Sequence, residues 1–226
     1  GYGMHSQMQP TIYYFYDTYI QTDSTYYKSN RNLDLNRAHH VILSYDINLF
    51  KEFRFKVETY YQYLYNIPVQ KNWNSSFSII NVWNALEGIP LVDTLINKGD
   101  GENYGVELTI EKFFSKHYYF LLTSSIYDSK YVGSNNVIHN TSYNAGYVFN
   151  ALAGYELMLG KSKNRSLSFD LKYTLAGGNR YTPIDLAKSQ FYGQAIYKDD
   201  EAFSQKQKDY SRFDIKVSFK TNRKRT

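Results

Sequence analysis

The chain has 226 residues, 42% of them hydrophobic, with 25 tyrosines, 14 phenylalanines, no cysteine and a formal charge of +5. This length accommodates one large β domain or two small ones, and the lack of cysteine excludes disulfides and thiolate chemistry. The charge is too mild to imply nucleic-acid binding without a localised patch, and no run of 18 apolar residues encodes a transmembrane helix.

Apolar and polar side chains alternate along most of the chain, with the two-residue period of β-strands. In Asn97–Phe114, for example, Val106, Leu108 and Ile110 alternate with charged or hydroxyl side chains. About eight strands are predicted, most of them longer than the roughly 5–6 residues usual in soluble proteins. In chain order they are Met4–Thr18, Val41–Leu49, Phe53–Tyr65, Asn97–Phe114, Tyr118–Lys130, Phe149–Leu157, Leu167–Leu175 and Phe213–Phe219.

The connections between these strands alternate between long and short. The short turns are Phe50–Glu52, Ser115–His117 and Gly160–Arg165. The long polar connections are Gln21–Arg37, Pro68–Glu102, Tyr131–Tyr143 and Ala176–Asp209. An antiparallel meander with short turns at one end and long loops at the other is typical of outer-membrane β-barrels. The fold class predicted is therefore all-β, an antiparallel transmembrane barrel segment.

Aromatic residues flank the short turns and recur at the far end of the third strand. Phe53 and Tyr63 are ten residues apart, which at ~3.3 Å per residue and ~40° tilt spans about 25 Å, the height of a barrel's apolar band. The apolar side chains are thus expected to face lipid. The charged ones would face the barrel interior, where they pair, meet water or contact a plug: Arg54, Lys56, Glu58, Glu107, Glu111, Asp170, Lys172, Asp214 and Lys216.

Several longer segments resemble the barrel domain of TonB-dependent outer-membrane receptors, in the Bacteroidetes branch that carries a carboxypeptidase-regulatory-like N-terminal domain. They are Leu64–Val69 (LYNIPV), Ser75–Val82 (SSFSIINV), Asn97–Tyr131, Asn140–Glu156 (NTSYNAGYVFNALAGYE) and Ala176–Leu186 (AGGNRYTPIDL). The resemblance implies about eight strands of a 22-stranded barrel. Residues 1–226 would be part of one barrel domain, near its C-terminal end, without the plug and N-terminal domains.

The function expected from this resemblance is TonB-dependent uptake of a nutrient such as a siderophore, cobalamin, glycan or peptide in the cell outer membrane of a Gram-negative bacterium. The expected partners are membrane lipid, the TonB complex through the plug, and a surface lipoprotein, with no nucleic acid. No enzyme activity, cofactor or metal is expected. Two alternatives stay open: a self-contained eight-stranded outer-membrane barrel acting as adhesin or structural protein, and a soluble β protein that binds a ligand.

Four residues in the long connections are candidates for substrate contact. Trp73 and Trp83 lie in one loop, where a tryptophan either binds a ligand or packs the loop on itself. Arg180 and Tyr181 follow two glycines that turn the chain out of a strand. An arginine beside a tyrosine binds carboxylate, phosphate or sugar, or it braces the loop against the rim.

Other polar groups do not form a catalytic or metal site. His39 and His40 are neighbours on a strand, so their side chains point to opposite faces and do not share a metal. Glu107 and Glu111 lie ~13 Å apart along one strand face, too far for a glycosidase pair. The basic residues near the end of the chain, from Lys220 to Arg225, are expected to be a solvated turn at the periplasmic edge.

Overall fold

The computed structural model describes residues 1–71, 74–82, 94–161 and 163–221, which form an all-β structure dominated by one antiparallel sheet. The strands are β1 (Tyr2–Gln7), β2 (Thr18–Ile20), β3 (Thr25–Tyr27), β4 (Asn36–Leu49), β5 (Phe53–Gln70), β6 (Leu95–Ser115), β7 (Tyr118–Val132), β8 (Ile138–Asn140), β9 (Tyr147–Leu159), β10 (Arg165–Ala176), β11 (Arg180–Tyr181), β12 (Gln205–Lys206) and β13 (Tyr210–Thr221). The helical elements are α1 (Leu186–Tyr192) and 3-10 turns at Thr11–Tyr13, Ile79–Asn81 and Asp199–Glu201.

The main sheet follows the chain as a meander, in the order β1-β4-β5-β6-β7-β9-β10-β13, with β8 paired to β7 beside this path. The predicted set of about eight antiparallel strands is thereby confirmed. Two small ribbons, β2-β3 and β11-β12, lie in the long connections. Among the described residues no helix has the length and apolar character that crossing a membrane requires.

All three short turns lie at one end of the sheet, the short-turn end, because each joins two consecutive antiparallel strands. The tightest is Lys116-His117, whose φ angles of 50° and 74° are those of a type I′ turn, which matches the twist of a hairpin. The long connections, residues 8–35, 71–94, 133–146 and 177–209, all begin and end at the opposite end, the loop end. The predicted separation of short turns and long loops is therefore confirmed.

The register places the alternating side chains on two chemically distinct faces, since directly opposite residues of paired strands share a face. The apolar face carries Val41, Leu43, Tyr45, Ile47, Leu49, Phe53, Phe55, Val57, Val106, Leu108, Ile110, Phe120, Leu122, Ile126, Phe149, Ala151, Ala153, Tyr155, Leu167, Phe169, Leu171, Phe213, Ile215 and Val217. The polar face carries Asp46, Arg54, Lys56, Glu58, Glu107, Thr109, Glu111, Thr123, Asn150, Asp170, Lys172, Asp214 and Lys216.

The sheet is open. In the described part of the chain β1 pairs only with β4, and β13 only with β10, so the two outer strands do not pair with each other. Each outer strand therefore presents one row of backbone N–H and C=O groups without a strand partner. The described residues therefore show the predicted all-β, antiparallel class but not a closed barrel. That the sheet is a transmembrane barrel segment stays a prediction.

The first strand was predicted over Met4–Thr18, and this is wrong in its extent. β1 ends at Gln7, and Pro10 begins a 3-10 turn that places Tyr13 in a small core, where the side chain is 2% exposed. The core residues Tyr13, Ile67, Ile79 and Leu95 come from four separate segments. Because their contacts are made only after the loops fold, the two-residue period did not indicate where β1 ends.

The second long connection was predicted to begin at Pro68, but the strands continue further. β5 has 18 residues and β6 has 21, and their pairing runs on to Gln70 opposite Leu95. A register shift between Leu64 and Ile67, where Asn66 has a φ of 57°, allows the pairing to resume. The connection between β5 and β6 thus shrinks to residues 71–94.

Candidate functional site

The apolar face is a broad, chemically uniform surface, and many of its side chains are exposed. Leu43 near one edge of the sheet is 71% exposed, Ile126 in the middle 66%, and Ile215 at the other edge 65%. The exposure therefore extends across the whole face. Burial of one such side chain stabilises a protein by about 1.5–3 kcal/mol, and soluble monomers rarely expose apolar patches beyond a few hundred Å². A face of this extent requires an apolar partner.

Aromatic side chains border the apolar face at the loop end. His39 stacks against Tyr65 with ring centroids 5.1 Å apart, and its Nδ1 lies 2.8 Å from the hydroxyl of Tyr2. Tyr63 stacks on Tyr65 at 6.1 Å. These rings join an apolar body to a polar tip, the combination that suits a boundary between apolar and aqueous surroundings. We call them, with Tyr61, the loop-end belt.

A second aromatic belt borders the apolar face at the short-turn end. Phe53 packs edge to face on Phe120 at 6.1 Å, and Phe50 in the first turn is 87% exposed. This turn-end belt also includes Tyr118 and Tyr155, whereas Phe114 follows a bulge in β6 and packs on Tyr119 with ring centroids 6.4 Å apart. One predicted member, Tyr119, instead points to the polar face, where its hydroxyl donates to Asp170. Successive side chains of a strand alternate between its two faces, so neighbouring aromatic residues such as Tyr118 and Tyr119 lie on opposite faces.

Lys112 lies on the apolar face beside the turn-end belt, yet it is 1% exposed. Its ammonium donates to the carbonyl oxygens of Phe113, Ser115 and Tyr118, each at 3.2 Å, and lies 3.9 Å from the ring centre of Tyr118. The charge is thereby enclosed in the hairpin turn and withdrawn from the apolar face. Lys112 does not interrupt the apolar surface.

Charged side chains on the polar face pair across strands. Arg54 on β5 binds Asp46 on β4 through two hydrogen bonds of 3.0 and 2.6 Å, and its guanidinium lies 3.8 Å from Glu111 on β6. Lys56 and Glu58 form a further pair within β5. These side chains are partly exposed, so water screens the pairs and their net contribution to stability is small. Their arrangement fits a face in contact with water; that this face lines a barrel interior stays a prediction.

The long loops fold over the loop end of the polar face. Asp199 accepts hydrogen bonds from the backbone N–H of Ser76 at 2.8 Å and from its hydroxyl at 2.6 Å. Ser75 accepts from the N–H of Asn135 at 3.1 Å. Three separate loops are thus joined in one assembly. Because strands hold the ends of each loop, the assembly is positioned firmly above the polar face.

His139 lies within this loop assembly and is buried. Burial lowers the pKa of its imidazole, so the ring is neutral at neutral pH. Its Nε2 lies 2.9 Å from Asn135 Nδ2, and its ring packs on Tyr131 at 5.6 Å. Phe203, from the last long loop, packs on the same tyrosine at 6.3 Å. The histidine therefore serves the packing of the loops.

A cleft of about 600 Å³ opens between the loop assembly and the first strands. It is lined by His5, Ser6, Gln7, Met8, Gln9, Pro10, Asn36, Arg37, Ala38, Gln62, Leu64, Ile67, Ile79, Ile80 and Val82. Gln62 also lines a smaller hollow of about 280 Å³ that holds Glu58, Tyr60 and Glu107. Amide side chains above an aliphatic floor suit a ligand with both polar and apolar groups, and the volume lies in the usual range of ligand sites.

Of the four residues predicted to contact substrate, the structure describes two. Arg180 is half-buried, and its Nε donates to the carbonyl of Asn144 at 2.9 Å. Its backbone N–H donates to the carbonyl of Ser142 at 3.2 Å, so the residue braces two loops. Tyr181 is exposed. Trp73 and Trp83 lie outside the described residues. Neither described residue lines the cleft.

We expect the variant Arg180→Gln to loosen the last long loop, because the lost guanidinium leaves the Asn144 carbonyl without its charged donor. Hydrogen bonds to charged groups contribute about 1.5–3 kcal/mol, so amide exchange near residues 142–146 should accelerate roughly tenfold. Hydrogen-exchange mass spectrometry measures this change, and Tyr181→Ala serves as the control. Equal protection in both variants would show that Arg180 does not brace the loop.

Comparison with known proteins gives no family to which the chain is assigned. No protein-family model, no characterised protein sequence and no solved structure matches it. Within the described ranges, no group of three or more histidine, aspartate or glutamate side chains is placed to hold a metal ion. Function must therefore be inferred from the two faces of the sheet and from the loops.

Sequence reasoning missed the residues of the cleft. His5, Gln62 and Ile79 come from three distant segments, and no local pattern links them. It did place His39 and His40 on opposite faces, which is confirmed: His39 stacks in the loop-end belt, while His40 packs against His5 at 5.1 Å on the polar face. The face of a strand residue follows from its parity alone, whereas a cleft between loops depends on how the loops fold.

Proposed function

We propose that these residues form part of the wall of an outer-membrane β-barrel, with the apolar face in lipid and the polar face toward a hydrated interior. The observation that carries the proposal is the exposed apolar face, bordered by an aromatic belt at each end. From Phe53 to Tyr63 this face spans ten residues, about 25 Å at ~40° tilt, which matches the apolar band of such barrels.

A soluble β-sheet protein is the first rival, and it would bury the apolar face against a second layer. The described loops fold over the polar face instead, which supports lipid as the partner. Strand length favours the same conclusion, because β5, β6 and β7 have 18, 21 and 15 residues, whereas strands of soluble proteins mostly have about 5–6.

We further propose that the wall belongs to a larger barrel, a TonB-dependent receptor. In lipid, each unpaired backbone N–H or C=O group costs several kcal/mol, so the open rows on β1 and β13 require further strands. The proposed task is active uptake of a siderophore, cobalamin, glycan or peptide, driven by the TonB complex through a plug. The cleft under the loops supports a binding role at the loop end, and no covalent chemistry is proposed.

The self-contained eight-stranded barrel is the second rival, and it differs in how the outer strands pair. It requires β1 to pair with β13, whereas the larger barrel pairs each of them with another strand. Cysteines at Met4 and Ile215 in the native protein should stay uncrosslinked under oxidising conditions if the larger barrel is formed. Efficient crosslinking at these and neighbouring positions would favour the small barrel and would overturn the receptor proposal.

We expect the loop end to lie outside the cell and the short-turn end in the periplasm, because outer-membrane barrels keep their long loops outside. A cysteine at the exposed Val137 should react with a membrane-impermeant maleimide on intact cells. A cysteine at Lys116 should react only after the outer membrane is permeabilised. The reverse pattern would invert the topology, and labelling of both sites on intact cells would contradict a membrane location.

The uptake function is tested by comparing two gene disruptions. Cells that lack this protein and cells that lack TonB should lose uptake of the same labelled nutrient from a panel of siderophores, cobalamin, oligosaccharides and peptides. Complementation with the native protein should restore that uptake only in cells with TonB. Uptake that continues in the TonB-deficient strain would contradict an energised receptor while leaving the lipid-facing wall untouched.

A further inference from the structure

The short turns carry an exposed row of cations, which we call the cationic rim. Its members are Lys51, Lys116, Lys161, Lys163, Arg165 and Lys220, each of them exposed. In the part of the chain that the structure describes, none of the six lies within ion-pairing distance of a carboxylate. The rim therefore presents uncompensated positive charge.

Two of the carboxylate residues that the structure describes stand beside the rim, and one is Glu156, whose backbone N–H donates to the carbonyl of His117 in the second turn at 2.8 Å. Glu52 stands in the first turn, and its carboxylate lies 3.9 Å from the buried ammonium of Lys112. Cations in the last long loop do have acidic partners: Lys188 pairs with Asp185 at 3.4 Å and Lys198 with Glu201 at 2.8 Å. The formal charge of +5 for the whole chain thus conceals a concentration of positive charge at the short-turn end.

The cations of the rim form a row along the short-turn end of the sheet. Successive short turns are two strands apart, which at ~4.8 Å per strand spaces their cations about 10 Å apart. The turn-end belt, with Phe50 and Tyr118 exposed, lies directly beside these turns. From the middle of the sheet outward, the surface is aliphatic, then aromatic, then cationic.

We propose that the cationic rim binds the phosphate groups of anionic phospholipids in the membrane leaflet at the short-turn end. This inference rests on the proposed function, since it requires the apolar face to be in lipid. The order of aliphatic, aromatic and cationic groups matches the order of acyl chain, interface and phosphate in a phospholipid leaflet. A cation beside an anionic membrane surface strengthens the attraction about fivefold, and several of them act together.

A nucleic acid fits the rim less well than lipid. Single-stranded nucleic acids bind in a charged groove with aromatic rings on which bases stack. Here the neighbouring rings belong to the turn-end belt and lie on the apolar face, which the proposed function assigns to lipid. The cations also stand in a single file rather than around a groove.

The test measures lipid selectivity of the native protein in vesicles of phosphatidylcholine that contain a trace of spin-labelled lipid. Electron spin resonance gives the association constant of labelled phosphatidylglycerol relative to labelled phosphatidylcholine. We expect a preference of severalfold for phosphatidylglycerol. It should fall close to one in 1 M NaCl, where the screening length is about 3 Å.

A variant and a matched control assign this preference to the rim. The rim variant is Lys51→Gln/Lys116→Gln/Lys161→Gln/Lys163→Gln. The control variant is Arg31→Gln/Lys71→Gln/Lys98→Gln/Lys208→Gln, which removes four exposed cations at the loop end. We expect the rim variant to lose the preference for phosphatidylglycerol and the control to keep it. Both should immobilise labelled phosphatidylcholine equally, which reports that the apolar face still contacts lipid.

The outcomes separate this inference from the proposed function. Immobilised lipid without a preference, or an equal loss in rim and control variants, would overturn the rim as a lipid site while the lipid-facing wall stands. A complete lack of immobilised lipid would overturn both. If the native protein lacks the preference and instead binds a single-stranded RNA oligomer that the rim variant does not bind, the rim is a nucleic-acid site.

Discussion

With the apolar face in lipid, as proposed, arginine in place of Leu108 should lower the free energy of unfolding by about 2–4 kcal/mol, the cost of a guanidinium at the bilayer midplane. Leu108 lies on the apolar face, opposite Val57 and Ser124 in the central strands. The matched variant is Thr109→Arg, one residue further along the same strand. Its side chain points to the polar face, where water and carboxylates are available, so its cost should be far smaller.

A second control varies the depth of the arginine in the proposed bilayer, because the cost of a charge on the lipid face falls toward the membrane surface. Leu49 is on the apolar face but next to the first short turn, so Leu49→Arg should cost only about 0–1 kcal/mol. Denaturant titration of the native protein in lipid vesicles, followed by tyrosine fluorescence, measures all three variants. An equal cost for Leu108→Arg and Leu49→Arg would indicate that protein, not lipid, covers the apolar face.

The variant Gly154→Val should also be strongly destabilising, by about 1–3 kcal/mol, because it overpacks a close contact. A Cβ atom at Gly154 would lie 2.1 Å from the ring of Tyr119 and 2.7 Å from a carboxylate oxygen of Asp170. The ring crosses this glycine so that its hydroxyl can donate to Asp170 at 2.7 Å. A larger side chain therefore displaces the ring and breaks the hydrogen bond.

Two further variants isolate the cause. Ala153→Val places the same valine side chain on the same strand but on the opposite, exposed face, so we expect little change. Tyr119→Ala removes the obstructing ring, and in that background Gly154→Val should cost much less than alone. The double-mutant cycle, measured by denaturant titration, gives the coupling energy of the pair. Simple additivity would mean that the contact between ring and glycine does not limit the packing.

The candidate site was predictable where it depends on a strand and unpredictable where it depends on a loop. Val106, Leu108 and Ile110 were placed together by their parity, and the register confirms this. Arg180 was weighed as a substrate contact or a brace, and its 2.9 Å bond to the Asn144 carbonyl agrees with the brace. That carbonyl belongs to another loop 36 residues earlier, which no local pattern could have indicated.

The sequence by itself determined the all-β class, the meander of about eight antiparallel strands, the division into an apolar and a polar face, and the two ends of the sheet. It could do so because a strand has a strict two-residue period and because hairpin turns are local. Only the tertiary structure decided where β1 ends, how far β5 continues past Asn66 and where β6 begins. It also decided how Asp199 joins the loops. Those features depend on contacts between segments far apart in the chain, whose energies appear only when the loops pack together.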